Sequence, residues 1–516
     1  MKSWISAATL LACLVAAGIF PIRTTTDAPS GLPQAEDSLL DLVPASALAA
    51  IELRDLDRRW AEIRSLGAIA ELQDLMLSAV GIPPDRVPEL AGERALIILL
   101  STGSDSLVTP MLLLQPRDRG EALRILGGSP SLHYCDARGA LWVGPAAAST
   151  EVERIARTPD PGLRSVLPVG EMDARLGGGG LVRGYLHPRA LADLSARLEE
   201  RTNFELPRWA ASWLAVELSA VRYIAFRREI TGTDIETEAL AAYDLANLPV
   251  QVARIFTSDS PPVPDAPVLP QGTIAAVAFR PEAAAWIPWL RHLAAADPHG
   301  PMRNLGFQVD EFNRRYHRNL EQDLCTAIGE RGWLFVLEGE QPGSASAVAL
   351  LERRPSAALE GTLANVMDWA GEQIWVTSLG AFIPYSWTSM GSGVTAHNME
   401  IWTILGRHTC LAFAVTDRHL VVATDEMALH KGLEIASTLP TQEAPGAYDA
   451  HASVRVRGPA VAKMFDFWSS LAGHPADRSI EAVSHFLADF EGARMELRHE
   501  KDALRFRGRA RFTRRY

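Results

Sequence analysis

Two short stretches, His133-Tyr134-Cys135 and His408-Thr409-Cys410, set an imidazole and a thiol two residues apart. In a strand, residues i and i+2 face the same way, so each stretch presents both groups together. Four such groups suit a tetrahedral zinc ion, provided the two strands meet. His133, Cys135, His408 and Cys410 are therefore the metal candidates. The plainer reading is that each cysteine is a small buried residue.

The common catalytic motifs are missing from the chain. A phosphate-binding loop needs Gly-Lys, and none of Lys2, Lys431, Lys463 and Lys501 follows a glycine. There is no Ser-x-x-Lys and no Gly-x-Ser-x-Gly elbow. His499-Glu500 is followed by Lys501-Asp502-Ala503, so it is not a zinc-protease helix. Cys-x-x-Cys is absent as well. Gly391-Ser392-Gly393-Val394-Thr395-Ala396 matches a dinucleotide fingerprint in letters, but it lacks the buried strand and βαβ frame that give the motif meaning. Gly177 to Gly180 has the composition to wrap an anion with backbone N–H groups. It runs into an apparent strand, Leu181 to Leu186, and reads better as a flexible turn. No catalytic residue and no cofactor is assigned.

Recognition has better candidates. Trp375, Phe382, Tyr385, Trp387 and Trp402 crowd into a Ser/Thr/Gly-rich segment that the first half of the chain lacks. Aromatic side chains give large contact area at little entropic cost, which suits a partner or ligand surface. The competing reading is an extra hairpin with its aromatics in the core. Near the end, Arg505, Arg507, Arg509 and Arg511 alternate with Leu504, Phe506, Gly508, Ala510 and Phe512. A charged strand face of this kind guards a sheet against edge-to-edge association. Its rival is a patch for an anionic ligand or headgroup.

The elements that carry these residues occur twice. Leu42-Val43-Pro44-Ala45-Ser46 with Ala49-Ala50-Ile51 returns as Val268-Leu269-Pro270-Gln271-Gly272 with Ala275-Ala276-Val277, and Trp60 and Trp286 keep the same spacing. Gly92-Glu93-Arg94 ahead of the strand Ala95 to Leu100 is matched by Gly329-Glu330-Arg331 ahead of Gly332 to Leu337. Ala140 to Gly144 is matched by His419 to Ala423. Each half closes with a hairpin, Val221 to Arg228 with Ile235 to Tyr243, and Ala493 to His499 with Ala503 to Phe512. Paired strands separated by single helices predict an α+β fold with mainly antiparallel sheets, built as two related domains by internal duplication. The predicted division is 1–23 signal peptide or anchor, 24–41 linker, 42–256 first domain, 257–267 Pro-rich linker and 268–516 second domain. An insertion near 370–412 carries the aromatics.

The Leu-Pro-small-small phrase and the Gly-Glu-Arg before an apolar strand resemble a family of bacterial envelope proteins known only as a domain of unknown function. Its members carry an N-terminal membrane segment and repeats opening on such a phrase. The resemblance covers most of both halves and implies architecture and location, with no catalytic residues to carry over.

The start of the chain agrees with export. As a helix, the apolar run from Trp4 to Phe20 spans about 26 Å, just short of a hydrocarbon core of about 30 Å. It suits a cleaved signal or a short anchor, and Leu10-Leu11-Ala12-Cys13 looks like a lipidation box followed by too apolar a stretch. The net charge of −12 argues against nucleic acid as a partner. Cys135, Cys325 and Cys410, outside the leader, are an odd count at wide spacing, which is not a disulfide framework but leaves room for one bond in an oxidising envelope. The sequence thus predicts a non-enzymatic protein of the bacterial cell envelope or periplasm, anchored or secreted, that binds an envelope protein or an apolar ligand. The alternatives are a lipid or lipoprotein carrier or chaperone, and a hydrolase without a recognisable linear motif.

Overall fold

Strands form where small, branched or aromatic apolar residues alternate, and the described pairings between them are all antiparallel. The computed structural model describes residues 39–64, 82–101, 108–158, 162–188 (except 178), 220–247 (except 245), 269–281, 305–339, 343–372, 381–388, 394–403, 406–439, 452–471 and 478–513 (except 501), with a few single positions between. The leader, the tract up to Ser38 and the Pro-rich linker at 257–267 lie outside them. Among the described residues, no helix is long and apolar enough to cross a membrane.

The first compact unit comprises Met1–Leu248, Gly473–Met495 and His499–Tyr516. Its strands are β1 (Ala47–Arg54), β2 (Arg94–Ser101), β3 (Val108–Leu114), β4 (Leu132–Ala137), β5 (Ala140–Pro145), β6 (Val182–Leu186), β7 (Val221–Thr231) and β8 (Asp234–Tyr243), joined by β18 (Ala503–Phe512) from the far end of the chain. They lie side by side in the order β4-β5-β3-β2-β1-β6-β7-β8-β18. The helices are α1 (Leu56–Arg64), which carries Trp60, α2 (Val87–Ala91), α3 (Arg119–Gly127), α4 (Ser149–Arg157) and α5 (Val169–Leu176). Trp286 lies outside the described residues.

One face of this sheet forms the main core. Leu96, Ile98, Met111, Leu113 and Trp142 meet Val152 and Ile155 of α4 and Met172 and Leu176 of α5. Trp142 is wholly buried, and its indole N–H is satisfied by the Ala137 carbonyl at 3.2 Å. The other face is apolar too, with Leu48, Ala49, Leu99, Leu186 and Phe226 clustered on it. Phe226 lies across Gly184, where a Cβ would fall 1.9 Å from the ring. Only glycine fits beneath that ring.

The second unit comprises Pro249–Ala472 and Glu496–Arg498. Its strands are β9 (Thr273–Phe279), β10 (Ile328–Glu338), β11 (Ala345–Arg353), β12 (Ala381–Thr388), β13 (Thr395–Thr403), β14 (Gly406–Val415), β15 (His419–Ala423) and β16 (Ala452–Arg457). Their order is β12-β13-β14-β15-β11-β10-β9-β16. The helices α6 (Leu305–Tyr316), α7 (Leu320–Ala327), α8 (Ala357–Glu372), α9 (Glu426–Thr438) and α10 (Gly458–Leu471) belong to the same span. Leu429 and Ile435 of α9 pack on Phe335, Val348, Leu350 and Val421. Asp425 caps that helix, accepting from the Ala428 N–H at 2.8 Å. The protein is therefore α+β with antiparallel sheets.

Two details differ from the sequence reading. Gly329-Glu330-Arg331 lies inside β10 rather than ahead of it, at a register shift between Ile328 and Gly332. In the first half Gly92-Glu93 precedes β2 and Arg94 opens it, with Gly92 at φ 60° turning the chain out of α2. At the other end of the chain, contacts group 473–495 and 499–516 with the first unit. The closing hairpin of β17 (Phe490–Glu500) and β18 is the reason, since β18 is registered with β8 from Asp234 to Ala242.

Candidate functional site

The predicted metal residues lie in different units. On β4, Cys135 is buried in the main core opposite Trp142, while the His133 Nε2 lies 3.3 Å from the Glu153 Oε1 of α4. His408 and Cys410 lie on β14, and their side chains are outside the described residues. The backbone puts His408 opposite Ile401 and leaves Cys410 in the register shift past Met399. Among the described residues, no group of three or more His, Cys, Asp or Glu is placed to hold a metal ion.

Phe382, Tyr385, Trp387 and Trp402 lie on the paired strands β12 and β13. Trp375 lies outside the described residues. Tyr385 is registered with Asn398 and Trp387 with Ala396, both of which are buried, and Trp402 is registered with Ala381. By strand alternation these three positions share one face and Phe382, opposite Ile401, lies on the other. The Gly391–Gly393 stretch lies outside the described residues, and Thr395 opens strand β13, not a helix.

The strongest electrostatic feature is a charged band on the main face of the first sheet. Cross-strand register lines up Glu52 (β1), Arg183 (β6), Arg227 (β7), Glu238 (β8) and Arg507 (β18) in one row. Glu52 is 1% exposed and Glu238 is 2% exposed. Such burial is tolerable only for acids that are paired. Glu52 accepts from the Arg54 Nε at 2.8 Å. Glu238 accepts from Arg227 Nε at 2.9 Å, Arg505 Nη1 at 2.7 Å and Arg507 Nε at 2.9 Å. Burial alone would raise the Glu238 carboxyl, but the hydrogen bonds and charges of Arg505, Arg227 and Arg507 outweigh it and hold the group below the usual carboxylate range. Asp234 accepts from Arg509 and Arg511 and is lowered in the same way, against the opposing effect of burial.

The arginine ladder is thus neither a bare edge guard nor an open anion patch. Its inner members answer acids on β8, and its exposure rises from 13% at Arg505 to 56% at Arg511. The ladder was visible in the sequence. Its complement, Asp234, Glu236 and Glu238 at the same period of two, was the missed signal.

The tetraglycine turn serves this band. Gly177 and Gly179 adopt φ of 77° and 97°, a region that favours glycine. Their carbonyl oxygens accept from Arg183 Nη2 at 3.0 Å and Nε at 2.9 Å. The turn therefore presents carbonyls to a cation, the reverse of an anion nest. Arg183 Nη1 and the Tyr185 hydroxyl both donate to Asp173 Oδ1 on α5, each at 2.8 Å.

Farther along α5, Arg175 makes a bidentate pair with Asp502, at 3.2 and 3.1 Å, and donates to Glu500 at 2.9 Å and to the Tyr223 hydroxyl at 3.3 Å. Tyr223 donates to Glu171 at 2.9 Å. Burial first, then that bond to Glu171, pushes the phenol up to about 12. These contacts tie α5 to the β17–β18 turn. Chemically, the band acts as a clamp, because arginines hold the Glu238 and Asp234 carboxyls below the usual range and make them poor proton acceptors.

No family model matches the chain. No curated protein matches it either. Two solved structures, crystal forms I and III of TP0453, are similar over 43% and 44% of this chain and 85% and 89% of their own. The identity is 8% and the TM-score 0.23 in both cases.

Proposed function

We propose that this chain is a non-enzymatic protein of the bacterial cell envelope, exported and held at the membrane through residues 1–23, that arose by internal duplication and binds an envelope protein or an apolar ligand. The duplication is supported by strand order: β4-β5-β3-β2-β1-β6 in one unit against β14-β15-β11-β10-β9-β16 in the other. The likeness to the envelope family of unknown function and the apolar leader support the location.

The observation that carries the binding role is what the second unit adds to this shared order. Beyond β14 it gains β13 and then β12, which ends the row among the described residues. Pro384 sits in the middle of β12, and a proline without an N–H suits an outer strand. The added pair also carries the aromatic-rich sequence. Full-length protein purified gently from an envelope fraction, followed by native mass spectrometry, tests the reading. A co-purifying protein or small molecule lost on deletion of 374–402, with thermal stability unchanged, supports it. Retention by the deletion variant overturns the placement.

A further inference from the structure

The first sheet ends at β4, which pairs with β5 and with no other strand among the described residues. At one end of this hairpin the Ser131 carbonyl accepts from the Ala146 N–H at 2.9 Å. At the other, Arg138 and Gly139, at φ 55° and 78°, form a two-residue turn. Antiparallel pairing then commits His133, Cys135 and Ala137 to β5 and turns the N–H and C=O of Tyr134 and Asp136 outward. Tyr134 is 37% exposed, and Asp136 is exposed as well. The Asp136 charge is met by Arg119 of α3, whose Nε donates to Oδ2 at 2.6 Å.

The second unit shows what such a strand accepts. There β14 holds the place in its row that β4 holds in the first, and β13 lies along its outer side. Asn398, His397 and Ala396 are registered with Ala412, Phe413 and Ala414. Free edges are usually blunted by proline, lysine or a bulge. β12 carries Pro384, whereas β4 has no proline or lysine and its register with β5 is unbroken from Leu132 to Ala137. We infer that β4 is a dimerisation edge, pairing antiparallel with β4 of a second copy of this chain. A two-fold axis makes such a contact self-complementary. Centred on Cys135, it sets Tyr134 opposite Asp136 of the second copy on both sides of the axis, so their outward N–H groups meet outward carbonyls. Centring on Asp136 would oppose like charges. Centring on Tyr134 would call on the Leu132 N–H, which is already spent on the Ser129 carbonyl at 3.3 Å. The inference rests on strand order and exposure and stands apart from the envelope role.

The contact is short and falls below the area of a standard interface, so a dissociation constant of roughly micromolar order is expected. Sedimentation equilibrium of the full-length protein in detergent measures it. Tyr134→Pro removes an outward N–H and leaves the β5 ladder intact, because that N–H takes no part in it. The dimer should weaken by at least about tenfold, since each copy would bury a carbonyl without a donor. Tyr134→Lys sets a charge on the edge and should weaken it as well, which keeps the idea testable if the Pro variant does not fold. Both variants should keep the wild-type circular dichroism spectrum. Wild-type protein that stays monomeric into the high micromolar range overturns the inference. So does a dimer undiminished in either folded variant, the result expected if copies associate through the apolar leader. Deletion of 374–402, in the other unit, should leave the dimer unchanged, and loss of the dimer on that deletion would also overturn the inference.

Discussion

Arg227 and Arg228 are neighbours on one strand and live in opposite electrostatic worlds. Arg227 points to the face where Glu238 waits on the next strand, with Arg505 and Arg507 completing the cluster. Arg228 points to a face of branched and aromatic side chains, and its register partner on that strand is Thr237. The two environments differ by a single step along β8. Strand alternation sends identical side chains to two different solvents, and the sequence of the next strand decides which of them is neutralised. One face is an ion-paired clamp, and the other holds a cation in apolar surroundings.

The sharpest way to break this contrast is to remove the acid on which the clamp converges. Glu238→Gln leaves three guanidiniums around a neutral amide, so the expected loss is about 3–5 kcal/mol, the cost of breaking a buried pair from one side. In a unit of this size that lowers Tm by roughly 10 °C, readable by calorimetry. A loss within a degree or two would mean the band is worth no more than exposed salt bridges. Next in size is Gly184→Ala on the opposite face. Its Cβ would meet the Phe226 ring, at an expected cost of about 1–3 kcal/mol for overpacking. Phe226→Leu in the same chain should recover part of that loss, and strict additivity of the two changes would show that the ring does not lie over the glycine.

The clamp also carries a pH signature. Glu238, Asp234 and Glu500 all have carboxyls held below their ordinary values of 4.5, 3.8 and 4.5 by arginines that outweigh burial. Groups lowered in the folded state stabilise it fully above those ordinary values, and the stabilisation is lost as pH falls through the lowered ones. Denaturant unfolding followed downward from pH 5 should therefore show stability falling with acid. Glu238→Gln should flatten that fall. An unchanged slope would remove Glu238 from the set of linked groups.

Much of this architecture was legible in the sequence because it depends on local pattern. Period-two alternation located β7, β8 and β18, and the repeated Leu-Pro phrases located β1 and β9. The charged band was half legible. Arg505 to Arg511 stood out, yet their partners at 234–238 lie more than half the chain away. A ladder on one strand does not say which strand it pairs with, so the closing hairpin was assigned to the wrong neighbour in space. Glu52 and Arg183 were missed for a related reason. A lone charge in an apolar strand looks like a solvent-facing position until the sheet brings a counter-charge beside it. Arg228 was invisible as well, because what distinguishes it is the absence of such a partner at Thr237. The metal candidates show the converse: alternation places His133 and Cys135 on one side of β4, and there Cys135 packs into the core with residues such as Trp142.

The smallest expected effects set the two arginines directly against each other. Arg227→Met removes one of three donors to Glu238 and should cost about 1–2 kcal/mol, since the acid keeps Arg505 and Arg507. Arg228→Met removes an enclosed cation with no carboxylate paired to it among the described residues, and fills the space with an apolar chain of similar length. It gives up one hydrogen bond to Thr237. The desolvation relieved should offset that loss, so the change is expected to be neutral or stabilising by about 1 kcal/mol. Opposite signs from the same substitution at adjacent positions would isolate the role of the partner strand. If both variants lose stability equally, Arg228 has a structural anion of its own, and the contrast between the two faces fails.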